Sequence, residues 1–187
     1  MIIVKLMGGL GNQLFQYAAA RSLSLQKNTS LYLDRSFLDK ESTGNYTYRK
    51  YELGPFNINA NRANNFQLFP FSMARKYSAF LSILPFNYFN EPNFEFTPAL
   101  SSIGKNIYID GYWQSEKYFS EYEKKVRDEF QFKNPLTGLN LEIADKIKNC
   151  IAVAVHIRRG DYINNAQLNE MHGTCSLEYY QQAINFL

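Results

Sequence analysis

Residues 1–34 run strand, glycine loop, helix, strand, and this order restricts what the chain can fold into more than any other feature. Ile2-Ile3-Val4-Lys5-Leu6 reads as a short buried strand. Gly8-Gly9-Leu10-Gly11 follows as a flexible loop, and Asn12 is placed to cap a helix running to about Gln26. Leu14, Ala18, Arg21 and Leu25 share one side of that helix, and the run Ala18-Ala19-Ala20 is small enough to bring it close to a sheet. Ser30-Leu31-Tyr32-Leu33-Asp34 reads as a second strand. Together these form a βαβ unit, so the expected class is α/β with a parallel sheet.

Beyond this opening the pattern is uneven. Residues 40–105 are rich in Asn, Phe and Tyr and carry all but one of the prolines; a helix is expected over Ser72 to Leu84. Asn106 to Asp110 reads as a strand closed by the turn signal Asp110-Gly111. Ser120-Glu121-Tyr122-Glu123 has the form of a capping box before a helix ending near Phe132, and a further helix is expected over Leu139 to Lys148. Ile151-Ala152-Val153-Ala154-Val155-His156-Ile157 is apolar until His156, which suits a central parallel strand. A domain boundary is expected just before it, giving residues 1–149 and 150–187, with a closing helix from about Ser176 to Leu187. One strand and one helix cannot complete a parallel sheet, so the second domain, Rossmann-like in pattern, is expected to be truncated.

Composition narrows the function classes. Hydrophobic residues make up 45% and aromatics 16%, which indicates a globular chain. The net charge is only +3, with Lys and Arg scattered apart from Arg158-Arg159, which argues against nucleic acid and for a small anionic ligand. Cys150 and Cys175 in a chain without a secretory leader suggest a reducing compartment. The apolar start is too short for a signal peptide or a membrane span. A cytoplasmic protein is expected, and peripheral association with the inner membrane is compatible with this.

The strongest chemical constellation is His156-x-Arg158-Arg159-x-Asp161. On a strand His156 and Arg158 would share a face at the carboxyl end, where ligands of open α/β sheets bind. Arginine offers forked donors and a permanent charge for phosphate. The alternative is a surface strand end with Arg159 and Asp161 paired, but two adjacent arginines are costly to bury without an anion. The Gly8-Gly9-Leu10-Gly11-Asn12-Gln13 loop could present backbone N–H groups at a helix start to phosphate or sugar hydroxyls; a tight structural turn explains it equally well. With Gly9 and Gly11 as a first pair, Leu14 occupies the third position of the dinucleotide fingerprint, while Asp34 sits where a ribose-binding acid would. Neither zinc spacing nor an Asp-x-Asp pair occurs, so arginine would have to do a metal's work at a diphosphate. Asp161 and Glu170 are candidate general bases, each with a solvated or ion-paired reading beside it. His172 reads as a solvated loop histidine, and the Phe and Tyr residues of 56–96 read as core before sugar platform.

At these residues the chain resembles glycosyltransferase family 11, the α-1,2-fucosyltransferases. Met7-Gly8-Gly9-Leu10-Gly11-Asn12-Gln13-Leu14-Phe15-Gln16-Tyr17-Ala18 is similar to the family's start. Gly111-Tyr112-Trp113-Gln114-Ser115-Glu116-Lys117-Tyr118-Phe119 resembles its middle signature, and Val155 to Tyr162 its His-x-Arg-Arg-x-Asp motif. The resemblance implies a GT-B-like fold, with an acceptor-side amino-terminal domain (1–149) and the start of a donor-binding domain (150–187). It implies inverting, metal-free transfer of fucose from GDP-fucose to the 2-hydroxyl of a galactose-terminated glycan, with no cofactor and no nucleic acid. Arg158 would then bind the β-phosphate, with His156, Arg159 and Asp161 around it, and Gly9, Gly11, Asn12 and Gln13 would face them; Arg158 and Asp161 are the catalytic candidates. Animal members carry a membrane anchor, so this chain resembles a bacterial one. The family's later motifs are absent, which implies an amino-terminal portion that could be inactive alone. The rival readings are an NAD-type oxidoreductase, resting on the βαβ opening and Asp34, and a non-catalytic glycan-binding fragment.

Overall fold

The computed structural model describes residues 1–40, 49–76, 86–157, 169–170 and 173–186. The chain divides into two compact units, Met1–Asn134 and Pro135–Leu187. The first is built on five strands: β1 (Ile2–Lys5), β2 (Leu31–Asp34), β3 (Asn61–Arg62), β4 (Asn87–Asn90) and β5 (Ile107–Asp110). All neighbours are parallel and the order is β3-β2-β1-β5-β4. Ile2 of β1 lies level with Leu31 on one side and Ile107 on the other. The expected α/β class is therefore observed.

Alternation along the strands sends side chains to two covered faces. Ile2, Val4, Leu31, Leu33, Ile107 and Ile109 pack beneath helix α1 (Leu10–Gln26) with Tyr17, Ala19, Ala20 and Leu23. Ile3 and Tyr108 face the other way onto Phe71 of helix α2 (Asn65–Lys76). Ile2, Ile3 and Val4 are fully buried, as a central parallel strand requires. The three alanines of α1 are buried too, which lets its backbone lie close to the sheet.

Helix α1 begins three residues earlier than expected. Its N-cap is Gly9, and Asn12 makes no cap. The helix ends as the sequence suggests, because Asn28 takes the left-handed conformation (φ 49°) and the Thr29 N–H donates to the Ser24 carbonyl at 3.0 Å. Its far half is tied down by a buried ion pair. Arg21 donates from Nη2 to Glu129 Oε1 at 2.8 Å, and the Tyr17 hydroxyl donates to Glu129 Oε2 at 2.5 Å. Tyr17 Oη in turn accepts the Asn59 N–H at 2.8 Å. Glu129 closes helix α4 (Glu123–Glu129), so this cluster fixes where α4 meets α1.

Several expected boundaries move for identifiable reasons. The helix expected over Ser72 to Leu84 is instead α2, which starts at Asn65; residues 77–85 lie outside those described. Asn64 and Gln67 form the capping box that starts it, the Gln67 N–H donating to Asn64 Oδ1 (3.0 Å) and the Asn64 N–H to Gln67 Oε1 (2.9 Å). Pro70 within α2 leaves the Phe66 carbonyl without its helical donor, which an exposed turn tolerates. The box expected at Ser120 does not form: Ser120–Tyr122 is a 3₁₀ turn, and α4 follows it. That helix stops short of Phe132 because the next residues pair with an earlier segment, the Asn57 N–H donating to the Gln131 carbonyl and the Lys133 N–H to the Pro55 carbonyl. A short helix α3 (Ala99–Ser102) lies in the crossover between β4 and β5.

The second unit contains helices α5 (Gly138–Lys148) and α6 (Leu177–Phe186), close to expectation. The central strand expected over Ile151 to Ile157 is not formed. Ile151, Val153, Val155 and Ile157 are exposed. A parallel strand exists through hydrogen bonds to its neighbours, and no described residue of this unit supplies one. Cys150 and Cys175 are both free thiols. Among the described residues no helix is long and apolar enough to cross a membrane.

Replacing Glu129 with Ala would strand a buried arginine and a buried hydroxyl. A loss of about 3–5 kcal/mol is expected, read as a lower urea midpoint at unchanged slope.

Candidate functional site

Strand order places a topological switch between β1 and β5: the chain leaves β1 for β2 on one side, and β5 lies on the other. Open parallel sheets bind ligands outside the carboxyl ends of their strands at such a point. Two segments meet there, the loop from Leu6 to Gly9 with the first turn of α1, and the loop from Gly111 to Gln114.

The first loop is shaped by glycine and by two buried glutamines. Gly8 has φ +75°, and a Cβ on it would stand 2.3 Å from Asn12 Nδ2, so a larger residue would strain the backbone and displace the Asn12 side chain. Gln13 is fully buried; its Nε2 donates to the carbonyls of Gly8 (2.9 Å) and Lys50 (2.8 Å), and its Oε1 accepts the Glu52 N–H (2.9 Å). Gln16 Oε1 accepts the Met7 N–H at 3.0 Å. Both glutamines therefore act on the loop's backbone. Gly9 and Gly11 remain accessible, with open space around Gly11 and the Arg49 side chain beside Gly9. The first helical bond is the Gln13 N–H to the Gly9 carbonyl, so the N–H groups of Leu10, Gly11 and Asn12 have no acceptor within the helix. The first turn carries no acidic residue.

The second loop is held by a carboxylate that sequence reasoning missed. Glu91 Oε2 accepts the Tyr112 N–H at 2.6 Å and Oε1 accepts the Trp113 N–H at 3.0 Å. Gly111 makes room for Glu91: a Cβ there would fall 2.4 Å from Glu91 Cβ. Trp113 then adopts φ +56°, a strained region for a bulky side chain, costing on the order of 1–3 kcal/mol. Its ring is fully buried, stacked on Phe89 and edge-on to Tyr118. Nothing local in the sequence marks Glu91, although the turn signal at Asp110-Gly111 and the Gly111–Phe119 stretch are legible.

On the sheet's other face the same edge carries a polar cluster. Asp110 Oδ2 accepts Lys5 Nζ at 3.0 Å and the Tyr88 hydroxyl at 2.5 Å. The Tyr108 hydroxyl donates to Asp34 Oδ2 at 2.6 Å, and Asp34 Oδ1 accepts the Ser36 N–H at 2.9 Å. Asp34 is buried and committed to these bonds, which removes the support it lent to an oxidoreductase. Burial first, then the Asp34 hydrogen bond and the charges of Asp34 and Asp110, hold the Tyr108 hydroxyl far above its ordinary ionisation range.

Of the other residues singled out by sequence, His156 is exposed and Glu170 is exposed. Arg158, Arg159, Asp161 and His172 lie outside the described residues. The aromatics of 56–96 divide: Phe71 is core on the α2 face and Phe56 packs against the core on the α1 face, while Phe66 and Phe94 are exposed.

Against this geometry, the family described as Glycosyl transferase family 11 matches residues 86–187. The chain is 32% identical to an alpha-1,2-colitosyltransferase of Escherichia coli, over 100% of this chain and 64% of that protein. It is 35% identical to the O-antigen biosynthesis glycosyltransferase WbnK of Escherichia coli, over 97% of this chain and 66% of that protein. The chain thus spans just under two thirds of these relatives' length. No solved structure matches it significantly.

Gly111→Ala is expected to cost about 1–3 kcal/mol by overpacking. It should also red-shift the emission of Trp113, the single tryptophan. Burial likewise raises the Tyr17 hydroxyl. Above about pH 10 an unfolded tyrosine ionises while these two stay protonated, so their contribution to stability should be constant below that pH and fall above it. Urea midpoints between about pH 9 and about pH 11.5 should decline less steeply in Tyr108→Phe; an equal slope would refute this origin.

Proposed function

Because the chain belongs to glycosyl transferase family 11, we propose that its enzyme transfers L-fucose from GDP-fucose to the 2-hydroxyl of a galactose-terminated glycan, with inversion. The observation that carries this reading is the accessible Gly9–Asn12 helix start at the β1/β5 switch point, whose first N–H groups have no acceptor within the helix and whose first turn carries no acidic residue. Such an edge suits the oxygens of a nucleotide sugar or of its acceptor.

In this reading the fold is of the GT-B kind. Residues 1–149 form the acceptor-side domain and 150–187 open the donor-binding one. Gly9, Gly11 and Asn12 line the site directly, and Gln13 serves it by holding the loop. Arg158 neutralises the departing diphosphate, with His156, Arg159 and Asp161 orienting it or the sugar; Asp161 and Glu170 are the bases to test. Breaking the glycosidic bond to GDP develops charge on the β-phosphate, and fixed cations aimed at that charge lower the barrier. Arginine rather than a metal supplies it, and no further cofactor takes part. In this reading the enzyme works in the cytoplasm, a location compatible with peripheral association with the inner membrane.

A second reading follows from the colitosyltransferase relative: the same transfer with colitose, which is fucose without its 3-hydroxyl. A site that hydrogen-bonds that hydroxyl rejects the sugar lacking it by about 10⁴–10⁵. Side-by-side assays with GDP-fucose and GDP-colitose on a galactoside acceptor separate the two, and turnover of neither overturns both. In the active pairing, Arg158→Lys should lower kcat by about 10²–10³, and activity should survive a strong chelator. Near-normal turnover by the variant, or a requirement for added manganese, would count against arginine in this role.

A further inference from the structure

The two loops at the switch point meet at a single side-chain bond. Gln114 donates from Nε2 to Asn12 Oδ1 at 2.7 Å. This uses the acceptor half of the Asn12 amide and fixes which way the amide faces. The donor half, Nδ2, lies over Gly8, in the space a Cβ would fill. An unconstrained carboxamide can turn over and offer either an oxygen or an NH₂ group to a ligand. The bond is solvent-exposed, and it biases the Asn12 amide toward one orientation before any ligand arrives.

We propose that Gln114 is a positioning residue that holds Asn12 as a hydrogen-bond donor, so that Asn12 recognises an oxygen with a free lone pair and discriminates against donors. The inference rests on the reading that nucleotide-sugar chemistry takes place at this edge. Gln114 is itself placed by its neighbours. Glu91 gathers the N–H groups of Tyr112 and Trp113, Gly111 admits that carboxylate, and the left-handed Trp113 turns the chain so that Gln114 reaches across to α1. The strain at Trp113 thus has a use: it aims the residue that follows it. A phosphate oxygen and a sugar hydroxyl oxygen share the required chemistry.

Gln114→Glu reverses the polarity of the contact. A carboxylate cannot donate to Oδ1, so it draws Nδ2 toward itself and leaves Oδ1 facing the ligand. If the Asn12 donor acts in the transition state, kcat should fall on the order of 10²-fold, with KM values within about threefold. Gln114→Ala, which leaves the amide free to turn, should lose less, roughly tenfold. Wild-type kcat in Gln114→Glu, or a larger loss in Gln114→Ala, overturns the proposal. A second measurement does not depend on turnover. In ¹⁵N–¹H spectra of the ligand-free protein the Gln114 side-chain NH₂ should exchange with water more slowly than other exposed side-chain amides, and Asn12→Ala should abolish that protection. Protection that persists in Asn12→Ala overturns the contact whatever the substrate. Absence of transfer by the wild type, with protection behaving as stated, is instead a failure of the functional reading alone. Titration with GDP alone, and with methyl β-galactoside alone, identifies which oxygen the Asn12 NH₂ meets by which one shifts its resonances; a shift with neither overturns the donor role.

Discussion

Everything at the candidate site depends on how deeply α1 is set into the first unit. An ordinary amphipathic helix buries one stripe, but this one also buries Gln13, Gln16, Arg21, Ser22 and Ser24. Buried polar groups must find partners within the protein. Both ends of the Gln13 amide and the Gln16 Oε1 find theirs in the backbone of the glycine loop and of residues 50–52, while Gln16 Nε2 has no partner among the described residues. Arg21 finds Glu129. Desolvating two charges consumes much of what their attraction returns, so the pair matters mainly for register: it sets one rotation of α1, and therefore one direction for its first turn.

The site edge shows the complementary principle. Two residues there occupy the left-handed region, and they do so on different terms. Gly8 enters it freely and in doing so clears space for Asn12. Trp113 enters it against its own sterics and is kept there by a carboxylate and an aromatic stack. A rigid sheet bearing two fixed loops is a better platform for orienting a reactive sugar than a mobile surface would be.

Much of the framework was legible because it is local. The apolar strand, the alanine run and the second strand announce a parallel βαβ unit within 34 residues. The strand at Ile107 and the helices at Gly138 and Leu177 fell near their expected positions for the same reason. What escaped was carried by distant or polar residues. Strand β3 is two exposed polar residues, Asn61 and Arg62, with no hydrophobic signature. Strand β4 is an edge strand, Asn-Tyr-Phe-Asn, and its pairing is visible only once β5 exists. Gln13, in a glycine loop, has the look of a ligand contact, yet all its bonds run to backbone. Glu91 binds a loop that starts 20 residues later, and no local pattern could connect them. The apolar run at Ile151 shows the reverse error: strand composition without a neighbour to pair with.

The Arg21–Glu129 pair also bears on how the molecule comes into being. Its partners are 108 residues apart, and central strand β1 receives its β5 neighbour from nearly as far away. A ribosome delivers the chain from its amino end, at about 5–20 residues per second. The opening βαβ unit must therefore wait several seconds, holding an unpaired strand edge and an arginine without its counter-charge, before the residues that complete it emerge. For this fold, translation speed across the first 130 residues is part of the folding problem, and the nascent chain is where it is most open to misassembly.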